Sequence, residues 1–106
     1  PIEFDQLGIV DYTAGQDTSS SLAEITVPPG VSHRTSWSKR SDKYYYVVQG
    51  NLSFTVDGAS STLSAGDVCI IPRGGRFRYA NVGPGDARLV LLHTPSFKLE
   101  FEVFEP

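Results

Sequence analysis

The sequence predicts an all-β fold, a single antiparallel barrel or sandwich. Three observations carry this. Short segments rich in β-branched and aromatic residues recur every 8–12 residues or so, the spacing of small all-β domains. Gly, Pro, Asn and Asp bound these segments at the positions where turns need them. No stretch shows the period of about 3.6 residues that marks an amphipathic helix.

Taken in order, Leu22 to Val27 alternates and stops at Pro28-Pro29-Gly30. Lys43 to Val48 (Lys-Tyr-Tyr-Tyr-Val-Val) has the composition of a buried strand. Gly50-Asn51 is a turn signal, and Leu52 to Val56 then alternates with period two. Asp57-Gly58 turns the chain into Ser61 to Leu63, and Ser64 to Asp67 turns it into Val68 to Ile71. Arg76 to Tyr79 alternates, Asn81 to Asp86 is a loop, and Arg88 to His93 and Lys98 to Phe104 close the series. In the last of these, Phe97, Leu99, Phe101 and Val103 alternate with the charged Lys98, Glu100 and Glu102, the pattern of an edge strand. An apolar edge needs a cover, and a second subunit is one.

At 106 residues and 40% hydrophobic, the chain is sized for one domain with one core, residues 1–20 forming an N-terminal arm and 21–106 the barrel. No apolar run approaches the roughly 18 residues of a membrane helix, and no leader pattern opens the sequence. The lone Cys69 precludes an intrachain disulfide, so the expected location is the cytoplasm. All nine Lys and Arg residues fall between Arg34 and Lys98, while the first 24 residues hold five acids and no base. A net charge of −3 without a basic stripe argues against nucleic acid. The more positive middle suits a small anion or is an ordinary solvated surface.

Two Gly/Pro frames, Pro29-Gly30 through His33 to Gly50 and Gly66-Asp67 through Pro72-Arg73-Gly74 to Asn81, resemble the two motifs of the cupin superfamily. The resemblance covers roughly residues 22 to 104. Gly66, Pro72, Gly74 and Asn81 all match in spacing, whereas the first frame has a short Gly30-to-His33 gap and a long segment before Lys43. It implies a cupin-type, jelly-roll-like barrel, a homodimer and, usually, a metal held by three imidazoles and a carboxylate. Of those four positions only His33 keeps a ligand; the others fall on Thr35, Lys43 and Phe77. Threonine is a poor ligand, phenylalanine none, and a protonated lysine repels a cation. The expectation is therefore no metal and no other cofactor.

If the family's facing holds, Lys43, Tyr45 and Val47 point inward, and a buried ammonium must be paired, hydrated or shifted in pKa. Lys43 then anchors an anion, acts as a base or nucleophile, or reaches water at the barrel mouth. His33 is an acid/base candidate or a satisfied core histidine. Tyr45 donates into the pocket or is core. Phe77 fills the space of the lost histidine. Trp37 and Thr35 contact a ligand at the mouth or pack on a neighbour, and His93 joins the pocket if its strand faces inward. Cys69 reads as packing.

Two functions follow. The first is a small-molecule-binding barrel without a tightly bound metal, its ligand small, organic and a candidate anion. His33 and Lys43 hold it, with an aromatic wall. The alternative is a metal-free enzyme, an isomerase, cyclase or lyase working by proton transfer through His33, Lys43 and Tyr45. A metal-dependent dioxygenase or isomerase that recruits His93 is a third.

Overall fold

The computed structural model describes residues 2–106. The strands are β1 (Ile2–Phe4), β2 (Leu7–Asp11), β3 (Ser21–Val27), β4 (Ser32–Ser38), β5 (Asp42–Gln49), β6 (Asn51–Val56), β7 (Ala59–Ser64), β8 (Val68–Ile71), β9 (Phe77–Asn81), β10 (Ala87–Thr94) and β11 (Glu102–Phe104), with a 3-10 turn at Leu99–Phe101. They form two antiparallel sheets, in the orders β1-β2-β3-β10-β5-β8 and β11-β4-β9-β6-β7. The sheets face each other as a flattened barrel, and side chains from both meet inside: Tyr45 of β5 lies 5.4 Å, ring to ring, from Phe54 of β6 and from Tyr79 of β9. The fold is all-β, as the strand spacing predicts. Among the described residues no helix is long and apolar enough to cross a membrane.

Local chemistry explains the turns. Asp57 and Gly58 both have positive φ, the geometry of the two-residue hairpin that joins β6 to β7. Gly50 has φ of 91°, and a Cβ there would come within 2.9 Å of Ala87, so only glycine lets β5 turn into β6 beside β10. Asn81 donates to the carbonyls of Val27 and Gly85 and accepts from Gly83 N–H, closing the 82–86 loop with one side chain.

Three segments depart from the sequence expectation. β1 and β2 join the six-stranded sheet through β3, and Leu7 is in the core. Their turn uses Asp5 and Gln6, both at positive φ, with no glycine to signal it. Ser32–Ser38 is a full strand. Lys98 to Phe104 is not continuous: the 3-10 turn precedes a three-residue strand paired to β4.

The outer face of the six-stranded sheet carries an apolar patch, beside which Arg88 and Glu24 form an ion pair. Leu22, Leu92, Tyr44 and Ile70 lie in one row across β3, β10, β5 and β8, and Val90, Tyr46 and Val68 continue beside them.

Candidate functional site

Period-two alternation points every second side chain of β3, β5 and β10 into the barrel. Toward one end these are Val27, Val47, Ala87 and Leu89, which pack with Leu52 and Phe54. Toward the other end they are Ala23, Ile25, Lys43, Tyr45, Leu91 and His93, and here the interior is hollow. The cavity measures about 300 Å³. Phe4, Leu7 and Ile9 from the N-terminal hairpin and Phe97, Leu99 and Phe104 from the C-terminal segment complete its apolar walls.

Its polar groups are few and connected. Lys43 and His93 are cross-strand partners on β5 and β10, and the Lys43 ammonium donates to His93 Nε2 at 2.7 Å. It also donates to Glu102 Oε1 at 2.6 Å, in an ion pair whose side chains are only 6% and 3% exposed. A third direction meets the Phe77 ring, 5.5 Å from Nζ to centroid. The other Glu102 oxygen, Oε2, is buried without a partner, as is the Tyr79 hydroxyl. His33 stacks on Phe77 at 5.2 Å and packs against Tyr79 at 5.0 Å. Its Nδ1 lies 2.6 Å from the Arg34 carbonyl.

The electrostatics follow from burial. Desolvation drives the His33 imidazole down to about 4, against the pull of the Arg34 carbonyl, and the Lys43 charge lowers it further. Burial and then the Lys43 charge take His93 down to about 3. Both imidazoles are neutral at physiological pH. Burial lowers the Lys43 ammonium below the usual lysine range, with Glu102 opposing. Burial, followed by Tyr79 and Glu102, raises the Tyr45 phenol.

The structure thus brings His33, Lys43, Tyr45 and His93 to one cavity, with Phe77 packed beneath His33 and Lys43. It does not bring Thr35 or Trp37 there. A bulge in β4 between His33 and Ser36 shifts the facing by one residue, so Ser36 lines the cavity and Thr35 and Trp37 turn away. Trp37 pairs with Val103 of β11 instead. Sequence reasoning missed Glu102, since unbroken alternation places it on the solvent side with Lys98 and Glu100. The 3-10 turn resets that count. The signal that could have found it is chemical: a buried lysine requires an acid, and the acids nearest the barrel's last strand are the candidates.

The chain belongs to the cupin family: the cupin domain matches residues 23–93. It is similar to the tetracenomycin polyketide synthase protein TcmJ of Streptomyces glaucescens, at 35% identity over 78 residues (74% of this chain, 52% of TcmJ). It also resembles a protein named endoribonuclease YbeY of Myxococcus xanthus, at 33% over 87 residues (82% of this chain, 29% of that protein). The chain therefore spans about half the length, or less, of these curated relatives. Pac13 from Streptomyces, described as a nucleoside dehydratase, has the same fold with a TM-score of 0.85 at 23% identity, covering 98% of this chain and 82% of Pac13.

Cupins commonly hold a divalent metal, and the donors here do not fit one. Phe77 offers no lone pair, Thr35 faces away, and Lys43 presents N–H protons already committed to Glu102 and His93. Among the described residues no group of three His, Cys, Asp or Glu side chains converges on a point.

Proposed function

We propose that the hollow end of the barrel binds a small, mostly apolar organic molecule, gripped at its polar end by the His33, Lys43, His93 and Glu102 cluster. The observation that carries this is the juxtaposition of a cavity of about 300 Å³, apolar on nearly every wall, with the buried, hydrogen-bonded Lys43, His93 and Glu102 and the nearby His33 at one side. Such pockets, predominantly apolar with a few fixed polar groups, are the usual form of small-molecule sites, from about 300 Å³ upward. The likeness to proteins named for polyketide synthases is in keeping with an organic ligand of polyketide type. Calorimetry against fused-ring hydroxy-aromatics tests it, with Ala23→Phe as the control that fills the cavity. Binding that Ala23→Phe removes while leaving the melting temperature intact is expected. Binding that survives Ala23→Phe places the ligand elsewhere and ends this reading.

A second reading, proton-transfer catalysis, is favoured by one observation: His33 is a neutral base within the same cavity as the un-ionised Tyr45 phenol. The fold's likeness to a nucleoside dehydratase is in keeping with it. Exchange of a bound ligand's C–H for solvent deuterium, abolished by His33→Gln, is the expected sign of catalysis; no exchange leaves a binding protein.

We also infer a homodimer through the apolar patch on the outer face of the six-stranded sheet, where Leu22, Tyr46, Val68 and Ile70 are exposed. Sedimentation should show a dimer that Ile70→Lys converts to a monomer; a monomeric native protein would end this reading.

A further inference from the structure

The cavity's polar end has more unmet hydrogen-bond acceptors than unmet donors. The Lys43 ammonium has three N–H donors. One meets Glu102 Oε1, one meets His93 Nε2, and the remaining direction is toward the Phe77 ring. His93 Nε2 is occupied by that same bond, so the neutral ring carries its proton on Nδ1, the spare imidazole donor at this end. His33 is the reverse case. The Arg34 carbonyl, 2.6 Å from Nδ1, can only accept, so Nδ1 carries the ring proton and Nε2 keeps its lone pair. No described residue donates to Nε2. Glu102 adds a second acceptor: its carboxylate lies at the cavity edge and Oε2 has no partner, though its side chain is 3% exposed. An unmet acceptor of this kind is costly in a buried site. Of the other polar side chains that line the cavity, the hydroxyls of Ser36 and Tyr45 can act either way, the Ser21 hydroxyl accepts from Phe97 N–H, and Asp11 accepts from Thr13. Charge tells the same story: the ammonium is already neutralised by Glu102, and neither histidine adds a positive charge.

We infer that the ligand is an uncharged hydrogen-bond donor, a hydroxyl on an apolar frame, and not a carboxylate or phosphate. The hydroxyl donates to His33 Nε2 or to Glu102 Oε2, with a small rotation of the carboxylate bringing Oε2 to the cavity. This rests on the pocket reading above and replaces the anion suggested by an inward lysine: Glu102 occupies the position an anion would take.

Three probes of one shape decide it by calorimetry at neutral pH on the wild-type protein: 2-naphthol, 2-methoxynaphthalene and 2-naphthoate. The naphthol should bind at least roughly tenfold more tightly than the other two, the scale of a hydrogen bond to a charged acceptor. Equal binding of naphthol and its methyl ether overturns the inference while leaving the apolar pocket in place, and so does a preference for naphthoate. Failure of all three to bind sinks the pocket reading itself. Glu102→Gln provides a second readout. It frees the Lys43 charge, so naphthoate should gain on naphthol by about tenfold or more, by the same scale. An unchanged ranking in a folded Glu102→Gln protein removes Glu102 from the argument.

Discussion

The two halves of the barrel interior are built on the same strands and do opposite things. On β3, β5 and β10, Val27, Val47, Ala87 and Leu89 face a filled half, where they join Leu52 and Phe54 in the buried core. A few residues along, the same strands present Ala23, Lys43 and His93 to a hollow half. The strands run through both, with one bulge on β10 between Arg88 and Leu89 in the filled half. What changes is side-chain size and polarity. The filled half is a packed core that holds the sheets together; the hollow half has given up contacts and taken on buried charge. That is the expected sacrifice at a site where local rules are broken for function.

The comparison is broken most severely at the ion pair. Lys43→Met leaves Glu102 as a buried, unpaired charge and should cost about 3–5 kcal/mol. The double variant Lys43→Met/Glu102→Leu removes both charges and should recover to within about 1 kcal/mol of wild type, as buried pairs replaced by apolar residues often do. Urea midpoints read this directly. A double variant as unstable as the single one would mean that the pair is structural cement and not a site. Next come the two halves themselves. Phe54→Ala in the filled half should cost about 3–5 kcal/mol, while Leu91→Ala, which already borders empty space, should fall near the low end, about 2 kcal/mol. Equal losses would mean the hollow half is as well packed as the other.

This division was only partly legible in the sequence. The facing implied by the cupin resemblance puts Lys43, Tyr45 and Val47 inside, and β5 has no irregularity in that stretch to upset it. Phe77 falls inside because the resemblance puts it at the cupin motif's histidine position, within the frame of Gly66, Pro72, Gly74 and Asn81. Thr35 and Trp37 were misassigned because the bulge after His33 shifts the count by one, and no glycine or proline marks it. Glu102 was hidden for a related reason: the turn at Leu99–Phe101 interrupts the period that the residues themselves display. The hairpin of β1 and β2 was unread because Asp5 and Gln6, not glycines, make its turn. The first two misses come from a local break in register and the third from a turn that carries no glycine.

A smaller effect separates the halves by pH, since the chain's two histidines both sit in the hollow one. In the unfolded chain they titrate near 6.5, and in the folded protein near 4 and 3. Folded values lie below unfolded ones, so the unfolded state takes up protons first as pH falls. Stability should be undiminished by the histidines above pH 6.5, decline from there towards 4 for His33, and continue to decline towards 3 for His93. Imidazole NMR shifts should stay flat from pH 7.5 to about 5, well above both folded values. An imidazole titrating near 6.5 would show that the hollow half is open to water.

The smallest effect belongs to the outer surface. Arg76 and Glu105 form an ion pair 2.5 Å apart, of the same chemistry as Lys43 and Glu102 but with side chains 58% and 31% exposed. Glu105 holds Arg76 above its ordinary range, and yet water can replace either partner. Arg76→Ala should leave the urea midpoint nearly where it was, and raising salt to about 1 M should erase any difference that remains, the screening length there being about 3 Å. The Lys43–Glu102 pair, shielded from ions by the barrel walls, should keep its contribution under the same salt. If salt weakened both pairs alike, the ammonium would be in contact with solvent, and the acceptor-rich pocket inferred from its burial would lose its basis.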